Sequence, residues 1–515
     1  MYVLCVGLLF FSKRYVLDRS SEIVQSIIRG IRHGLADKVR LTELATFEKY
    51  GTSTIYARIT QDTTTIANMS TIIINCCQQG VMVIFTLLYI SLLSVQSFVL
   101  VAAGLAFGIF YYMGHSETFR LMWERTSQKE TAFFDQLGHI LQGFNEININ
   151  RRKNEAVFKA YSEGNDTTTA IRVDISKHYN LTLIFSEVFF FLILGGLLFV
   201  LPKLHTEGSL VVTKVITSVL FLIGPMESII YAMPGFANAN NAARNIMELE
   251  SQLGAELDKT REQAIDHYSA AAYQVIPFEK QLTLNGLVYQ YPPKAAYDTV
   301  FQVGPIALRL GKGELIFVTG GNGSGKSTFL KLLTGLYKPS AGNIIVDGGD
   351  GVKGKVVSSQ NYQQYQNLFS IIFSDYHLFD KVYGIERSIE PAEVKTLLKY
   401  MDLSEEKTSY EDGAFTNIRL SSGQKKRLAL ATALLEDKPI YVFDEVASDL
   451  DPEFRDKFYF EILQELKSRG KTVLVVSHDQ QYWLVPDRLI QFQDGKAREL
   501  SKAEVQLLST TIRNV

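Results

Sequence analysis

The chain has 515 residues, and its 52 Lys and Arg nearly balance 54 Asp and Glu, for a formal charge of −2. That length exceeds one ordinary core and implies at least two domains, and the charge balance excludes a nucleic-acid binder that relies on a global positive field. Mean hydropathy is +0.06, with most of the apolar excess ahead of about residue 235, which is the average of a membrane half and a soluble half.

A bilayer core takes about 20 mostly apolar residues per helix. Four runs meet that length, at about 71–93, 96–113, 181–201 and 208–233, and a fifth at 1–12 is apolar but stops at Lys13-Arg14. The fifth is either a short span or the tail of a longer helix; it lacks the basic leader and small-residue cleavage site of a secretory signal. Cys5, Cys76 and Cys77 sit in these runs without zinc or disulfide spacing, as small apolar fillers. Basic residues set the orientation. Lys13, Arg14, Arg19, Arg29, Arg32, Lys38, Arg40, Lys49 and Arg58 follow the first run. Arg120, Arg125, Lys129, Arg151, Arg152, Lys153, Lys159, Arg172 and Lys177 lie between the runs at 96–113 and 181–201. Both segments are therefore expected in the cytoplasm, with the short connections at Ser94-Val95 and 202–207 outside. The C-terminal half then lies in the cytoplasm as well.

Ile23, Ile27, Ile28, Ile31 and Leu35 recur at helical spacing, which predicts helices that extend beyond the bilayer. The ionisable and amide residues inside the spans are Asn75, Gln78, Gln79, Glu187, Lys214 and Glu227. Charge in lipid is costly, so Glu187 and Glu227 either face a substrate cavity or pack helix against helix. Gly224-Pro225 predicts a kink in the last span. A helix leaving the membrane is expected over 235–250. The resulting organisation is a transmembrane helical domain over 1–250, a polar linker over 251–280 and a nucleotide-binding domain over 281–515.

After the linker, the apolar β-type run Leu315-Ile316-Phe317-Val318-Thr319 leads into Gly320-Gly321-Asn322-Gly323-Ser324-Gly325-Lys326-Ser327-Thr328 and a helical pattern over 329–336. This is G-x-x-x-x-G-K-[ST] in the strand–loop–helix setting that the motif needs. Its glycines let backbone N–H groups wrap phosphates, and the helix N-terminus adds favourable partial charge. Lys326 is assigned to the β- and γ-phosphates and Ser327 to Mg²⁺. Downstream, Ile440-Tyr441-Val442-Phe443-Asp444-Glu445 is a buried-strand run ending in two carboxylates. Asp444 is expected to hold Mg²⁺ directly or through water, and Glu445 to polarise the attacking water as general base. The basic run Lys425-Lys426-Arg427 belongs to a helix, not to a nucleic-acid surface.

Between the phosphate loop and that strand, Leu420-Ser421-Ser422-Gly423-Gln424 opens a helix through Leu435. It resembles the signature motif of the ABC (ATP-binding cassette) family, with Ser422 in place of the commoner glycine. The resemblance implies that this stretch closes on the γ-phosphate held by a partner's phosphate loop, so that two chains form two composite ATP sites head to tail. Ser448-Asp449-Leu450-Asp451 resembles the loop that communicates between the sites. His478, after the strand 472–477, resembles the switch histidine that contacts the γ-phosphate. Tyr291 lies about where the family stacks an aromatic ring on adenine; a plain strand tyrosine is the alternative. Where the family usually has a glutamine that senses Mg²⁺ and the membrane domain, this chain has Ser374-Asp375 after Phe369-Ser370-Ile371-Ile372-Phe373. Ser374 or Asp375 is the expected substitute, through water, while Gln360, Gln363, Gln364 and Gln366 are expected in a surface turn. In such proteins, turns like 47–51 with 58–62, and 143–152, seat on the nucleotide-binding domain as coupling helices; ordinary polar turns are the alternative for both.

The runs VGPIALRLGKGELIFVTGGNGSGKST, FSIIFSDYHLFD and LSSGQKKRLAL resemble bacterial exporters of cyclic peptides, including peptide siderophores and related lipopeptides. The resemblance covers nearly the whole chain. It implies an all-α transmembrane exporter domain followed by an α/β P-loop NTPase (ABC) domain, working as an inner-membrane homodimer with ATP, Mg²⁺ and a cyclic-peptide-like substrate. Such exporters usually have six membrane helices, and the five runs here lead us to expect that the first is absent from this chain. A lipid or drug translocator, or a regulatory ABC ATPase without transport, carries the same ATP motifs and is the alternative.

Overall fold

The computed structural model describes residues 1–108, 110, 114, 136–200, 209–261, 274–291, 301–347, 354–385 and 387–513. The ends of the expected runs 96–113 and 181–201, the first residue of 208–233, the connection 202–207, Arg120, Arg125, Lys129 and residues 262–273 of the linker lie outside the described residues. The chain divides into two compact units, Met1–Arg40 with Gly51–Gln252 and Leu41–Tyr50 with Leu253–Val515.

The first unit is helical. Among the described residues three helices are long and apolar enough to cross a membrane, Thr52–Leu93, Arg151–Phe199 and Val211–Gly254, and Val95–Gly108 is a shorter apolar helix. The apolar run at the N-terminus opens one helix, Tyr2–Leu41. A small core holds these helices: Ile90, Val101, Leu105, Phe190, Leu197, Val215, Val219 and Leu222. Leu92, Leu192 and Phe199 point outward and are exposed, a surface suited to lipid and not to water. Helix Arg151–Gly195 starts at an Asn150 cap, whose side chain accepts from the Lys153 N–H at 3.1 Å. Helix Ser209–Arg261 runs unbroken past Gly224-Pro225, and the Ser228 hydroxyl adds a hydrogen bond to the Gly224 carbonyl at 3.0 Å. That helix also runs past residue 250, into the expected linker, because Leu253 is fully buried and supplies an apolar anchor one turn beyond Leu249.

The second unit is α/β. Its described strands are β1 (Gln281–Gln290), β2 (Gln302–Gly311), β3 (Leu315–Gly320), β4 (Ala341–Val346), β5 (Lys355–Val356), β6 (Phe369–Ile372), β7 (Tyr410–Glu411), β8 (Ala414–Phe415), β9 (Ile440–Asp444), β10 (Thr472–Val476), β11 (Arg488–Gln493) and β12 (Lys496–Leu500). One sheet has the order β12-β11-β3-β10-β9-β6, parallel except for β12. A second, antiparallel sheet has the order β2-β1-β4-β5. The continuous apolar runs of β3, β9 and β10 follow from burial on both faces. Leu315, Phe317, Tyr441, Phe443, Val473 and Val475 enter one core, and Ile316, Val318, Ile440, Val442, Leu474 and Val476 the other, as the two-residue repeat of a strand requires. Val476 pairs with Asp444 on one side and Val318 on the other. The register therefore sets the carboxylate strand and the loop after β3 level at one sheet edge.

Candidate functional site

The loop after β3 leaves the carboxyl end of a central parallel strand, where ligands of open α/β sheets bind. Two glycines let it turn. Gly320 has φ 150° and an added Cβ would lie 2.3 Å from the Phe492 carbonyl oxygen; at Gly325, φ 101°, it would lie 2.9 Å from Val303 Cγ2. No other residue fits either place. Helix Lys326–Leu333 begins next. The Lys326 ammonium is buried and donates to the carbonyls of Gly320 at 2.9 Å and Gly321 at 3.0 Å. Burial pushes its pKa down, against the pull of the Glu445 and Asp444 charges. Ser324 Oγ is buried without a hydrogen-bond partner, while Asn322, Gly323 and Ser327 are exposed. A helix N-terminus, a buried cation and an unpaired hydroxyl around one loop form a cradle for an anion.

Asp444 ends β9 and is 2% exposed. Burial first, and then the neighbouring Glu445 charge, push its carboxyl above the usual carboxylate range. Backbone and side-chain hydrogen bonds from Ser374, and the Lys326 charge, act the other way. Ser374 therefore lies beside the Asp444 carboxyl. Asp375 is exposed at the next position. Glu445 is in the left-handed region, φ 52°, and its N–H donates to the Val476 carbonyl at 3.1 Å. His478 Nε2, from the loop after β10, lies 3.1 Å from Glu445 Oε1. The sheet edge therefore gathers Lys326, Asp444, Glu445, His478 and Ser374.

A carboxyl raised above its unfolded value binds its proton more tightly in the fold, so the stability of the protein falls as pH rises through the carboxylate range. Asp444→Asn removes that ionisation. It is expected to raise the melting temperature of the ligand-free protein at pH 7, by an increment that shrinks as pH is lowered toward the carboxylate range, while ATP hydrolysis falls. Scanning fluorimetry against pH, with an ATPase assay, checks both. A lower melting temperature at pH 7 would contradict the desolvation argument.

The stretch Leu420–Gln424 heads helix Ser422–Glu436, in which Ser421 and Gln424 cap each other reciprocally. Its nearest fixed neighbour is the segment after Glu445: a Cβ on Gly423 would lie 2.8 Å from the Asp449 carbonyl oxygen. Lys426, buried, donates to the Glu445 carbonyl at 2.9 Å and Ser448 Oγ at 2.7 Å, and pairs with Asp449 at 2.9 Å. Arg427 pairs with Asp451 and lies over the Phe454 ring. The basic run thus fixes the Ser448–Asp451 loop to the head of this helix, a role that its sequence did not announce. Gln363, Gln364 and Gln366 are in a short helix, Tyr362–Gln366, and not a turn; Gln366 donates to the Gly335 carbonyl at 2.8 Å.

Tyr291 is half-buried beside the phosphate loop, its hydroxyl 2.9 Å from Thr328 Oγ1. Its ring meets Tyr289 and Tyr337 edge to face. Helix Leu44–Tyr50 belongs to this same unit. Glu48 pairs with Lys331 at 2.8 Å and accepts from the Tyr337 hydroxyl at 2.5 Å, and Glu43 pairs with Lys338. The corresponding helix of the second expected turn is Phe144–Ile149, in the first unit. Within that first unit, a groove of about 490 Å³ is lined by Phe85, Thr86, Tyr89, Lys214, Thr217 and Phe221 among others. Neither Glu187 nor Glu227 lines it.

Comparison with known proteins agrees with this geometry. Residues 303–448 match the family described as ABC transporter. Over 486 residues the chain is 29% identical to the ATP-binding protein SyrD of Pseudomonas syringae pv. syringae, covering 91% of this chain and 82% of that protein. It is 30% identical over 228 residues to the energy-coupling factor transporter ATP-binding protein EcfA1 of Mycoplasmopsis synoviae, covering 42% of this chain and 80% of that one. A solved bacterial Atm1-family ABC exporter with ATP bound superimposes with a TM-score of 0.76 at 17% identity, covering 98% of this chain and 87% of that one; at that identity the likeness concerns the fold, helical membrane region and P-loop domain together.

Proposed function

This chain belongs to the ABC transporter family, as an exporter half that couples ATP hydrolysis to transport, and on that premise we propose the rest: a homodimer in a bacterial inner membrane that exports cyclic peptides, siderophore precursors or lipopeptides. The observation that carries the proposal is the meeting of Lys326, Asp444, Glu445 and His478 at one sheet edge, in a chain whose other unit has membrane-length helices. Near-full-length similarity to SyrD supports extending it to the whole chain.

In this mechanism the loop N–H groups and Lys326 bind the phosphates, and the Tyr291 ring stacks on adenine. Ser327 and Asp444 hold Mg²⁺, with Ser374 orienting the carboxylate. When bound, the ion neutralises charge on the β- and γ-phosphates. Glu445 takes a proton from water as the water oxygen attacks the γ-phosphorus and the bond to the bridging oxygen of ADP breaks. His478 leaves Glu445 for the γ-phosphate once ATP is in place. Leu420, Ser421, Ser422, Gly423 and Gln424 of one chain close on the ATP held by the other.

The groove in the first unit offers aromatic rings, hydroxyls and one cation, Lys214, which suits an amphiphilic peptide with an acidic group. Replacement by Gln is expected to reduce uptake of acidic peptides about fivefold, the effect of about 1 kcal/mol, and to spare neutral ones. The deciding experiment is ATP-dependent uptake of labelled cyclic peptides, linear peptides and lipid probes into inside-out vesicles. Uptake of cyclic peptides that disappears in Glu445→Gln supports the proposal; preference for lipid probes, or hydrolysis without uptake of any probe, overturns it.

A further inference from the structure

His478 stands between two residues that a single buried tyrosine holds. Tyr459 lies in the helical stretch after the Ser448–Asp451 loop, on a π turn over Phe458–Ile462, a widening of the helix that recurs at functional sites. It is fully buried, and its ring stacks on Tyr482 at 4.0 Å with 21° between planes. Its hydroxyl lies 2.6 Å from Ser477 Oγ and donates to Asp479 Oδ2 at 3.0 Å. Ser477 Oγ also accepts from the Asp479 N–H at 3.0 Å. Each hydroxyl has one proton. The Tyr459 proton goes to the carboxylate, which only accepts, so Ser477 donates to Tyr459. The three bonds therefore close a ring around the backbone of His478: the Asp479 N–H to Ser477, Ser477 to Tyr459, and Tyr459 to the Asp479 carboxylate. Bonds linked in this way strengthen one another. Burial pushes the Tyr459 pKa up, so the donor keeps its proton at neutral pH. Ser477 is 5% exposed, so water does not substitute for a lost partner. Outside the ring, Arg455 faces Asp479 at 3.9 Å and donates to the Leu450 carbonyl at 3.1 Å.

We propose that Tyr459 is a positioning residue for ATP hydrolysis: by closing this ring it fixes the backbone on both sides of His478 and so sets where the imidazole reaches. The inference rests on the role given to His478 under the proposed function. The imidazole itself is half-exposed and 3.1 Å from Glu445 Oε1, while its two neighbours are held. Passage from Glu445 to the γ-phosphate then needs rotation of the His478 side chain alone, with no movement of the loop. The loop is ordered when the domain folds, so its ordering is not repeated at each turnover. Tyr459 does not touch the reacting atoms. Tyr482 supplies the contrast, because its hydroxyl donates to Asp456, outside the ring.

The test is basal ATP hydrolysis by the full chain in nanodiscs, for Tyr459→Phe alone and combined with His478→Ala, with Tyr482→Phe as control. Phenylalanine keeps the stacked ring and removes only the hydroxyl. Tyr459→Phe is expected to lower kcat about tenfold, the scale of a misplaced catalytic group, with KM for ATP nearly unchanged because the phosphate loop is untouched. Ser477→Ala opens the same ring at another bond and should do the same. Tyr482→Phe, an equal deletion from the partner ring, should keep kcat within about twofold. In the His478→Ala background, whose residual rate is read over hours at high protein concentration, Tyr459→Phe should change kcat less than about twofold, since the side chain it positions is gone. An unchanged kcat in Tyr459→Phe overturns the proposal. So do equal losses with and without His478, or equal losses in Tyr459→Phe and Tyr482→Phe, which would mean that Tyr459 acts only through the packing of the domain. Failure of the underlying role looks different: His478→Ala then hydrolyses ATP at the unsubstituted rate, and the proposal falls with it. The measurement needs no transport substrate, so its outcome is separate from that of vesicle uptake.

Discussion

Glu445→Gln is expected to leave ATP bound and to slow hydrolysis about a hundredfold or more, the usual contribution of a positioned general base. The amide keeps the volume of the carboxylate and can still contact His478 Nε2, which lies 3.1 Å from Oε1, but it does not take a proton from water. The backbone at this position is fixed by other groups: the N–H by Val476 and the carbonyl by Lys426 at 2.9 Å. Substitution of the side chain therefore leaves the turn in place, and the effect isolates the proton acceptor. A steady-state phosphate-release assay paired with binding of a fluorescent ATP analogue checks the two halves. Turnover within tenfold of the unsubstituted protein removes Glu445 from its assigned role. Loss of binding instead would mean that the residue supports the phosphate loop and is not the base.

The phosphate loop and the carboxylate strand were legible because their signals are local. β3, β9 and β10 are uninterrupted apolar runs, and a parallel sheet covered on both faces requires that pattern. Gly320 and Gly325 occupy positions where a Cβ meets Phe492 and Val303, which is why the motif is so constrained. What escaped was non-local. The pairing of Glu48 with Lys331 and Tyr337 joins residues nearly 300 positions apart, and no spacing rule reaches that far. The nearness of Ser374 to Asp444 follows from the pairing of β6 with β9, which no local signal in the sequence announces. The extension of the last membrane helix into the expected linker depends on burial of Leu253, in a stretch whose composition alone looks polar.

Lys426 was the least legible of all, a middle residue in a three-cation run, and its replacement is expected to have the second large effect. Lys425 is exposed, while Lys426 is 5% exposed and gathers three acceptors: the Glu445 carbonyl, Ser448 Oγ and the Asp449 carboxylate. Lys426→Met keeps the apolar stem and removes the donors. The Glu445 carbonyl keeps the Ser448 N–H at 3.2 Å and the Ser448 hydroxyl at 2.8 Å, so what is lost is one charged donor shared by part-buried acceptors, which costs about 1–3 kcal/mol; Asp449 is half-exposed and rehydrates, so its share is small. In a domain of this size that is a fall of about 3–10 °C in melting temperature. The Glu445 carbonyl is one of the groups that lose the ammonium, and Glu445 adopts φ 52°, a conformation that persists only where its surroundings enforce it. Hydrolysis is therefore expected to fall about tenfold in kcat with little change in KM for ATP, because the phosphate loop is untouched. Lys425→Met provides the comparison, with stability within about 0.5 kcal/mol of the unsubstituted protein. Equal effects at 425 and 426 would show that the run acts by its net charge; a loss confined to 426 ties the general base to the signature helix through one buried ammonium.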